Sequence, residues 1–156
     1  MTSHIRDIAA LLTGRYGTHV AEVTAAGTGD ATEVNGAYID RLGFSCVKVL
    51  IGFSFTLGGT ETISFAGNLQ DASDSGGTGV ADFGDAAAST VAATGDSGGS
   101  TETGVFEMDF DLTGADRWVR AQFTPDLSAA NTDTGFCFAL YVLGGEDQPP
   151  STARAN

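Results

Sequence analysis

Three carboxylates at alternate positions of one short segment are the residues of this chain whose spacing could do chemistry. Glu107, Asp109 and Asp111 alternate with four apolar residues, namely Phe106, Met108, Phe110 and Leu112. Because a strand points successive side chains to opposite faces, the carboxylates share one face. Neighbouring carboxylates on that face lie roughly 7 Å apart, within the spacing of about 5–9 Å that glycosidases use. The pattern permits a hydrolase, but Trp118 is the one nearby aromatic for a sugar ring, and a solvated acidic face explains the segment more simply.

The other candidates for chemistry are incomplete motifs. The loop at 71–77 offers oxygen ligands and a glycine turn, but it lacks the acidic third position and the closing Glu of a calcium loop. His4 and His19 have no partner at metal-ligand spacing. Ser97 lies in a glycine-rich loop without the strand-to-helix context of a nucleophile elbow, and the loops lack a P-loop lysine. The sequence therefore predicts no enzyme, no metal site and no cofactor.

Composition indicates one acidic globular domain. The chain has 156 residues, of which 42% are hydrophobic, and a net charge of −13 from 7 basic and 20 acidic residues. Such a charge disfavours direct contact with nucleic acid or with an anionic membrane. It suits either a salty environment or simple solubility. We expect Cys46 and Cys137 to be reduced thiols packed as small hydrophobic side chains. No signal peptide or apolar run of about 18 residues is present, which predicts folding in a cytoplasm.

Residues 3–13 form the one convincing helical pattern. Ser3 can cap the start, and Gly14 can stop the last turn. The apolar positions of one face are Ile5, Ile8, Ala9 and Leu12. A helix this short is marginal alone in water, so it must dock on its own domain, on a sister subunit or on another protein.

The rest of the chain has the period of two that is typical of strands. The strongest patterns lie at 44–57, 62–70, 105–112, 117–124 and 135–143. In the 44–57 strand Gly52 indicates a bulge or bend, and Pro125 is expected to end the 117–124 strand. About eight short strands predict an all-β fold, an antiparallel β-sandwich of jelly-roll type with a short N-terminal helix or arm. The predicted organisation is an arm or helix at 1–17, a sandwich at 18–145 and a flexible tail at 146–156.

Two strands carry a second face without the row of carboxylates seen at 105–112. In the last strand Phe136, Phe138, Leu140 and Val142 share one face, while a lesser face holds Cys137, Ala139, Tyr141 and Leu143. A strand apolar on both faces is either central or covered by a partner. In the preceding strand Trp118 stands beside Arg120, opposite the apolar face, which is the composition of an interface anchor or of a sheet rim.

Four local strings together resemble capsid decoration (cement) proteins of tailed bacteriophages. They are Gly36–Phe44 (GAYIDRLGF), Ala66–Asp74 (AGNLQDASD), Arg117–Phe123 (RWVRAQF) and Leu140–Gly145 (LYVLGG). The resemblance spans roughly residues 36–145 and is structural rather than catalytic. It implies a virion protein with a jelly-roll or related sandwich fold on the capsid exterior. Such a protein would bind the major capsid protein and stabilise the head.

The resemblance also implies partners and contact residues. We expect a homo-oligomer, dimer or trimer, made in the bacterial host's cytoplasm. The expected capsid or subunit contacts are Ile5, Ile8, Leu11, Leu12, Trp118 and Arg120. The alternative function is a carbohydrate-binding β-sandwich module of a fibre or adhesin, although the long loops at 71–79 and 95–104 carry almost no aromatic residue.

Overall fold

The computed structural model describes residues 11–129 and 132–145, and these form two antiparallel β-sheets. The strands are β1 (Thr13–Thr24), β2 (Val34–Asn35), β3 (Ile39–Asp40), β4 (Cys46–Leu57), β5 (Thr62–Ala72), β6 (Ala81–Thr94), β7 (Ser100–Asp111), β8 (Trp118–Leu127) and β9 (Thr134–Gly144). Within these ranges no helix is long and apolar enough to cross a membrane. Ile5, Ile8 and the predicted tail at 146–156 lie outside the described residues.

The strand order is that of a jelly roll. The first sheet runs β1-β9-β4-β7, and the second runs β2-β8-β5-β6 with β3 also paired to β8. Since β2 and β3 both pair with β8, they are two parts of one interrupted strand, which reduces nine strands to two sheets of four. Apart from the β2–β3 and β5–β6 connections, each link passes from one sheet to the other. The predicted all-β sandwich of jelly-roll type is confirmed.

The core lies between the sheets and is built from alternate positions of the long strands. On β4 the six inward side chains are at most 5% exposed, and they are Val47, Val49, Ile51, Phe53, Phe55 and Leu57. On β7 Met108 and Phe110 are buried, as is Leu112 directly after the strand, while Glu107, Asp109 and Asp111 face outward. These inward and outward sets are the ones that the period of two predicts.

Several predicted boundaries were wrong. Residues 13–17 belong to β1, not to an arm or to the helix predicted at 3–13, because residues 13–16 pair with residues 140–143 of β9 and the pairing resumes at Thr18. Glycines and polar residues weaken the strand pattern there, so pairing rather than side-chain periodicity defines this edge strand. Pro125 does not end β8: it pairs with Phe65, and the strand continues to Leu127.

Gly52 makes no bulge, because the pairing of β4 with both neighbours continues through it without a shift. Gly52 stands opposite Phe138, and a Cβ at this position would overlap the Phe138 ring. The missing side chain therefore gives the ring a place to lie on the outer face. The inward face of β9 is the lesser one, with Cys137, Ala139, Tyr141 and Leu143 all 0% exposed.

Tyr141 ties the two sheets together. Its hydroxyl lies 2.9 Å from the backbone N of Ala121, whose N–H it accepts, and donates to the carbonyl of Ala37 at 3.2 Å. Ala121 belongs to β8 of the opposite sheet, and Ala37 lies between β2 and β3. These bonds explain why β9 turns its less bulky set inward, since the tyrosine alone reaches across the sandwich.

Candidate interaction surface

The outer side of the first sheet carries a continuous apolar surface. We call it the outer apolar face and define it by Tyr16, Leu50, Val105, Phe136, Phe138, Leu140 and Val142. Tyr16 is 62% exposed, Val105 55% and Phe136 43%, and the others are partly exposed. Contiguous apolar surface on a protein with a net charge of −13 marks an interaction site.

The pairing register places these side chains side by side. Leu50 of β4 stands between Leu140 of β9 and Glu107 of β7, and Leu140 in turn pairs with Tyr16 of β1. One pair further along, Val105 and Phe138 flank Gly52. The apolar side chains thus cross the sheet from one edge strand to the other, with β9 and β4 at the centre.

The carboxylates of β7 form a charged border beside this face. The Nζ atom of Lys48 lies 2.8 Å from Glu107 Oε2 and 2.8 Å from Asp109 Oδ1. Lys48 donates hydrogen bonds to both carboxylates, and these raise the pKa of the lysine, the bond to Asp109 more than the bond to Glu107. Asp111 accepts from the hydroxyl and the N–H of Thr113, which lowers the pKa of its carboxyl group. The three candidate carboxylates are therefore solvated, and two of them share one cation.

An apolar depression opens at one end of the same face. It has a volume of about 480 Å³, and its lining includes Leu12, Cys46, Val142 and Gly144 together with Lys48 and Asp111. Leu12 is 43% exposed, and Leu11 is half-buried. The structure therefore places one predicted contact residue, Leu12, at this depression.

Trp118 and Arg120 lie on the outer side of the other sheet, which is polar. Arg120 donates from Nε and Nη2 to Gln70 Oε1 at 3.0 and 2.8 Å, and its guanidinium lies 4.8 Å from the Tyr38 ring centroid. Trp118 is half-buried under the Arg117 guanidinium, at 5.7 Å. Leu12 and the pair Trp118–Arg120 are thus on opposite sides of the sandwich, and Arg120 already has partners within the domain.

The outer side of this second sheet satisfies its own polar groups. Asp82 accepts from Asn68 and Gln70 at 2.9 Å each, and the Gln122 amide donates to Glu33 and Asn35 at 2.8 and 2.7 Å. A side chain that already has its hydrogen bonds gains little from a partner. The outer apolar face is the surface with more to gain from being covered.

The loops show how their polar residues are used. Asp74 Oδ1 accepts the N–H groups of Gly76 and Thr78, which closes the loop that faintly matched a calcium site. Among residues 11–129 and 132–145, no group of three or more His, Cys, Asp or Glu could hold a metal ion. The loop with Ser97 joins β6 to β7, two strands, so it is not a nucleophile elbow.

The two cysteines are free thiols in different surroundings. Cys46 is exposed at the apolar depression, and Cys137 is buried in the core. Burial raises the pKa of the Cys137 thiol to about 12, so this residue stays a neutral, small hydrophobic side chain.

The comparisons with known proteins gave only structural matches. No protein-family model and no curated protein matches the chain. One matching solved structure is that of the infectious bursal disease virus Gx strain, at 9% identity and a TM-score of 0.46, covering 88% of this chain and 33% of that one. Another is the infectious bursal disease virus VP2 subviral particle, at 10% identity and a TM-score of 0.47, covering 89% and 34%. The chain spans about a third of the length of these proteins, and a likeness at this level does not by itself indicate what the chain does.

Sequence reasoning missed most of the outer apolar face. The signal that could have found it is the last strand, because its two apolar faces require one to be covered by the second sheet and the other by something else. What the sequence did not indicate is that the bulkier set, with Phe136 and Leu140, is the one left outside.

Proposed function

We propose that the protein is a virion structural protein of the capsid decoration type, which binds the major capsid protein and stabilises the phage head. The observation that carries this proposal is the outer apolar face. A jelly roll with one self-satisfied polar side and one exposed apolar side is built to lie against a larger surface.

Charge supports the same orientation. The chain has a net charge of −13, so molecules repel one another and a particle coated with them stays dispersed. The outer apolar face holds few of these charges, because its carboxylates lie along the β7 border and Glu107 and Asp109 share Lys48. The acidic remainder of the surface would then point to solvent while the apolar face meets the capsid.

The central contacts of this interface would be Phe136 and Leu140. Both lie on β9, the second strand in from the β1 edge, and both are exposed although they are large and apolar. Aromatic and aliphatic anchors near the centre of a patch supply most of the binding energy of an interface. Trp118 and Arg120 lie on the other sheet and remain the second proposed contact, to a sister subunit, and a dimer or trimer would let one unit engage several capsid subunits.

Binding to shells tests the proposal. Purified protein is mixed with expanded shells of the major capsid protein from the phage or prophage that encodes the chain. We expect stoichiometric co-sedimentation and a higher rupture temperature of the shells. The Leu140→Asp variant should lose binding, because it places an unpaired charge in the contact.

A matched control is Val91→Asp. Val91 is 54% exposed, but it lies on β6 of the other sheet, so the same change should leave binding intact. Wild-type protein that stays in the supernatant, or a Leu140→Asp variant that binds as well as wild type, would contradict the proposal. Trp118→Ala tests the second patch through the oligomeric state, which size-exclusion chromatography with light scattering measures.

A further inference from the structure

We propose that the buried carboxylate of Asp133 anchors a calcium site at the end of the sandwich where β4 finishes. The site lies in a polar pocket where three connections meet, namely those between β4 and β5, between β6 and β7, and between β8 and β9. The lining of this pocket includes Thr56, Gly58, Gly99, Thr101, Thr132 and Asp133. The inference does not rest on the proposed function.

Asp133 is a buried carboxylate with one oxygen that lacks a partner. The residue is 1% exposed. Its Oδ1 atom accepts the Gly58 N–H at 2.7 Å and the Thr132 hydroxyl at 3.3 Å, and both of these residues line the pocket. Its Oδ2 atom is buried too, but no described residue donates a hydrogen bond to it. A buried charge is costly unless it is paired or bound to a metal ion, so a cation at Oδ2 would remove this cost.

No cationic side chain of the described residues pairs with Asp133. The ion pairs among those residues have Lys48 and Arg117 as their cations. Lys48 stands near the start of β4 and Thr56 near its end, about 27 Å apart at about 3.4 Å per residue. Arg117 precedes β8, whose other end leads to Asp133. The charge of this carboxylate is therefore left to a cation from solution, which a protein with a net charge of −13 attracts.

Glycines bring the backbone oxygens of two connections together beside the pocket. A Cβ on Gly95 would overlap the Gly58 carbonyl oxygen, and a Cβ on Gly59 would overlap the Ser97 carbonyl oxygen. A side chain at either position would push the two connections apart, so the absence of side chains keeps these carbonyls close to each other. Carbonyl oxygens are among the ligands that calcium binds in proteins.

The oxygen atoms of the pocket suit calcium better than magnesium. The pocket has a volume of about 450 Å³, and its side-chain donors are the Asp133 carboxylate and hydroxyl groups such as those of Thr101 and Thr132. Calcium accepts six to eight oxygen ligands in irregular geometry, water included, whereas magnesium demands a nearly ideal octahedron. One carboxylate suffices for a weak site of this kind, which is distinct from the groups of three or more acidic side chains that the described residues lack.

Thermal unfolding with added calcium tests the proposal. Protein freed of metal ions with a chelator is compared with and without about 10 mM calcium chloride at constant ionic strength. With a dissociation constant on the order of 0.1–1 mM, as in low-affinity calcium sites, the melting temperature should rise by about 3–10 °C. Magnesium chloride at the same concentration should give a much smaller rise. No rise with calcium, or an equal rise with magnesium, would overturn the proposal.

Asp133→Asn keeps an oxygen that can accept the Gly58 N–H and removes the charge. This variant should lose most of the calcium-dependent rise in melting temperature. Asp74→Asn is the matched control, because the Oδ1 atom of this exposed carboxylate already accepts the N–H groups of Gly76 and Thr78, and it should keep the full rise. An Asp133→Asn protein that calcium stabilises as much as wild type would refute the assignment of the site.

A calcium titration of the wild-type protein followed by NMR covers the case in which Asp133→Asn does not fold. The backbone amide signals of Gly58, Gly99 and Thr132 should shift and reach saturation, while that of Gly76 should stay in place. Shifts centred on another part of the chain, or no shifts up to about 10 mM calcium, would overturn the proposal. Shell binding is measured separately with Leu140→Asp, so failure of the calcium site and failure of the proposed function are distinguishable.

Discussion

Replacing Tyr141 by Phe tests how the two sheets are held in register. The substitution keeps the ring and removes the hydroxyl, which accepts from the Ala121 N–H and donates to the Ala37 carbonyl. Tyr141 is 0% exposed, so water cannot replace the lost bonds. The Ala121 N–H is then buried without an acceptor.

An unsatisfied buried donor costs roughly 1–3 kcal/mol. For a domain of this size each kcal/mol lowers the melting temperature by about 2–4 °C, so we expect a fall of about 2–12 °C. Tyr16→Phe is the matched control, because Tyr16 is 62% exposed, and it should change the free energy of unfolding by less than about 0.5 kcal/mol.

The effect should also depend on pH. Burial raises the pKa of Tyr141 to about 12 from an ordinary value of 10.0. The folded protein therefore keeps a proton that the unfolded chain releases, so the stabilisation is complete below pH 10 and is lost as the pH rises towards 12. Between these pH values the free energy of unfolding should fall by up to about 1.4 kcal/mol per pH unit because of this one group. Tyr141→Phe has no group to titrate, so it should lack this contribution.

Urea unfolding of both proteins at pH 7 and between pH 9 and 12 provides the measurement. The stability difference between wild type and Tyr141→Phe should shrink as the pH rises above 10. A variant as stable as wild type at pH 7, with an unchanged urea slope, would refute the view that this hydroxyl joins the sheets.

Three further predictions concern the core and the outer face. Asp133 is 1% exposed, and its Oδ1 accepts the Gly58 N–H at 2.7 Å; Asp133→Ala should therefore cost about 1–3 kcal/mol in urea unfolding, and Asp133→Asn, which keeps that acceptor, should cost less. Gly52→Ala should lower stability by about 1–3 kcal/mol, because the new methyl overlaps the Phe138 ring, and Phe138→Ala in the same chain should remove most of that loss; additive costs would count against this explanation. Burial raises the pKa of Cys137 to about 12 from 9.0, so the free energy of unfolding should begin to fall near pH 9, where the unfolded thiol loses its proton. Cys137→Ala should move the start of this fall to near pH 10, where Tyr141 begins to contribute. A fall that still begins near pH 9 in the variant would contradict this prediction.

The fold could be predicted because alternation in a strand records which side is buried. Residues 47–57 and 106–112 show this most clearly, since a single apolar face leaves one possible orientation. Alternation does not reveal a strand that is defined by backbone hydrogen bonds and has no regular order of apolar and polar side chains. β1 is such a case: Gly14, Arg15 and Gly17 give it no period of two, and the hydrogen bonds to β9 define it.

The candidate surface could be predicted only in part. Two apolar faces on one strand indicate that something other than the core covers one of them, but they do not indicate which face that is. Two details decide this in β9: the Tyr141 hydroxyl finds partners across the sandwich, and Gly52 leaves space for Phe138 on the outside. Both depend on residues far away in sequence, which no local pattern contains. Trp118 and Arg120 look like an anchor in the sequence for the same reason, because Gln70 and Tyr38, which contact Arg120, are distant along the chain.

The position of Lys48 makes the outer apolar face unusually easy to monitor by chemical labelling. As the one lysine of the sequence, it offers amine-reactive reagents a single side chain, and that side chain lines the depression. Its ion pairs with Asp109 and Glu107 keep the amine protonated and so slow its acylation. The labelling rate of this one residue, followed by mass spectrometry, would therefore report when the sheet is covered, without any engineered probe.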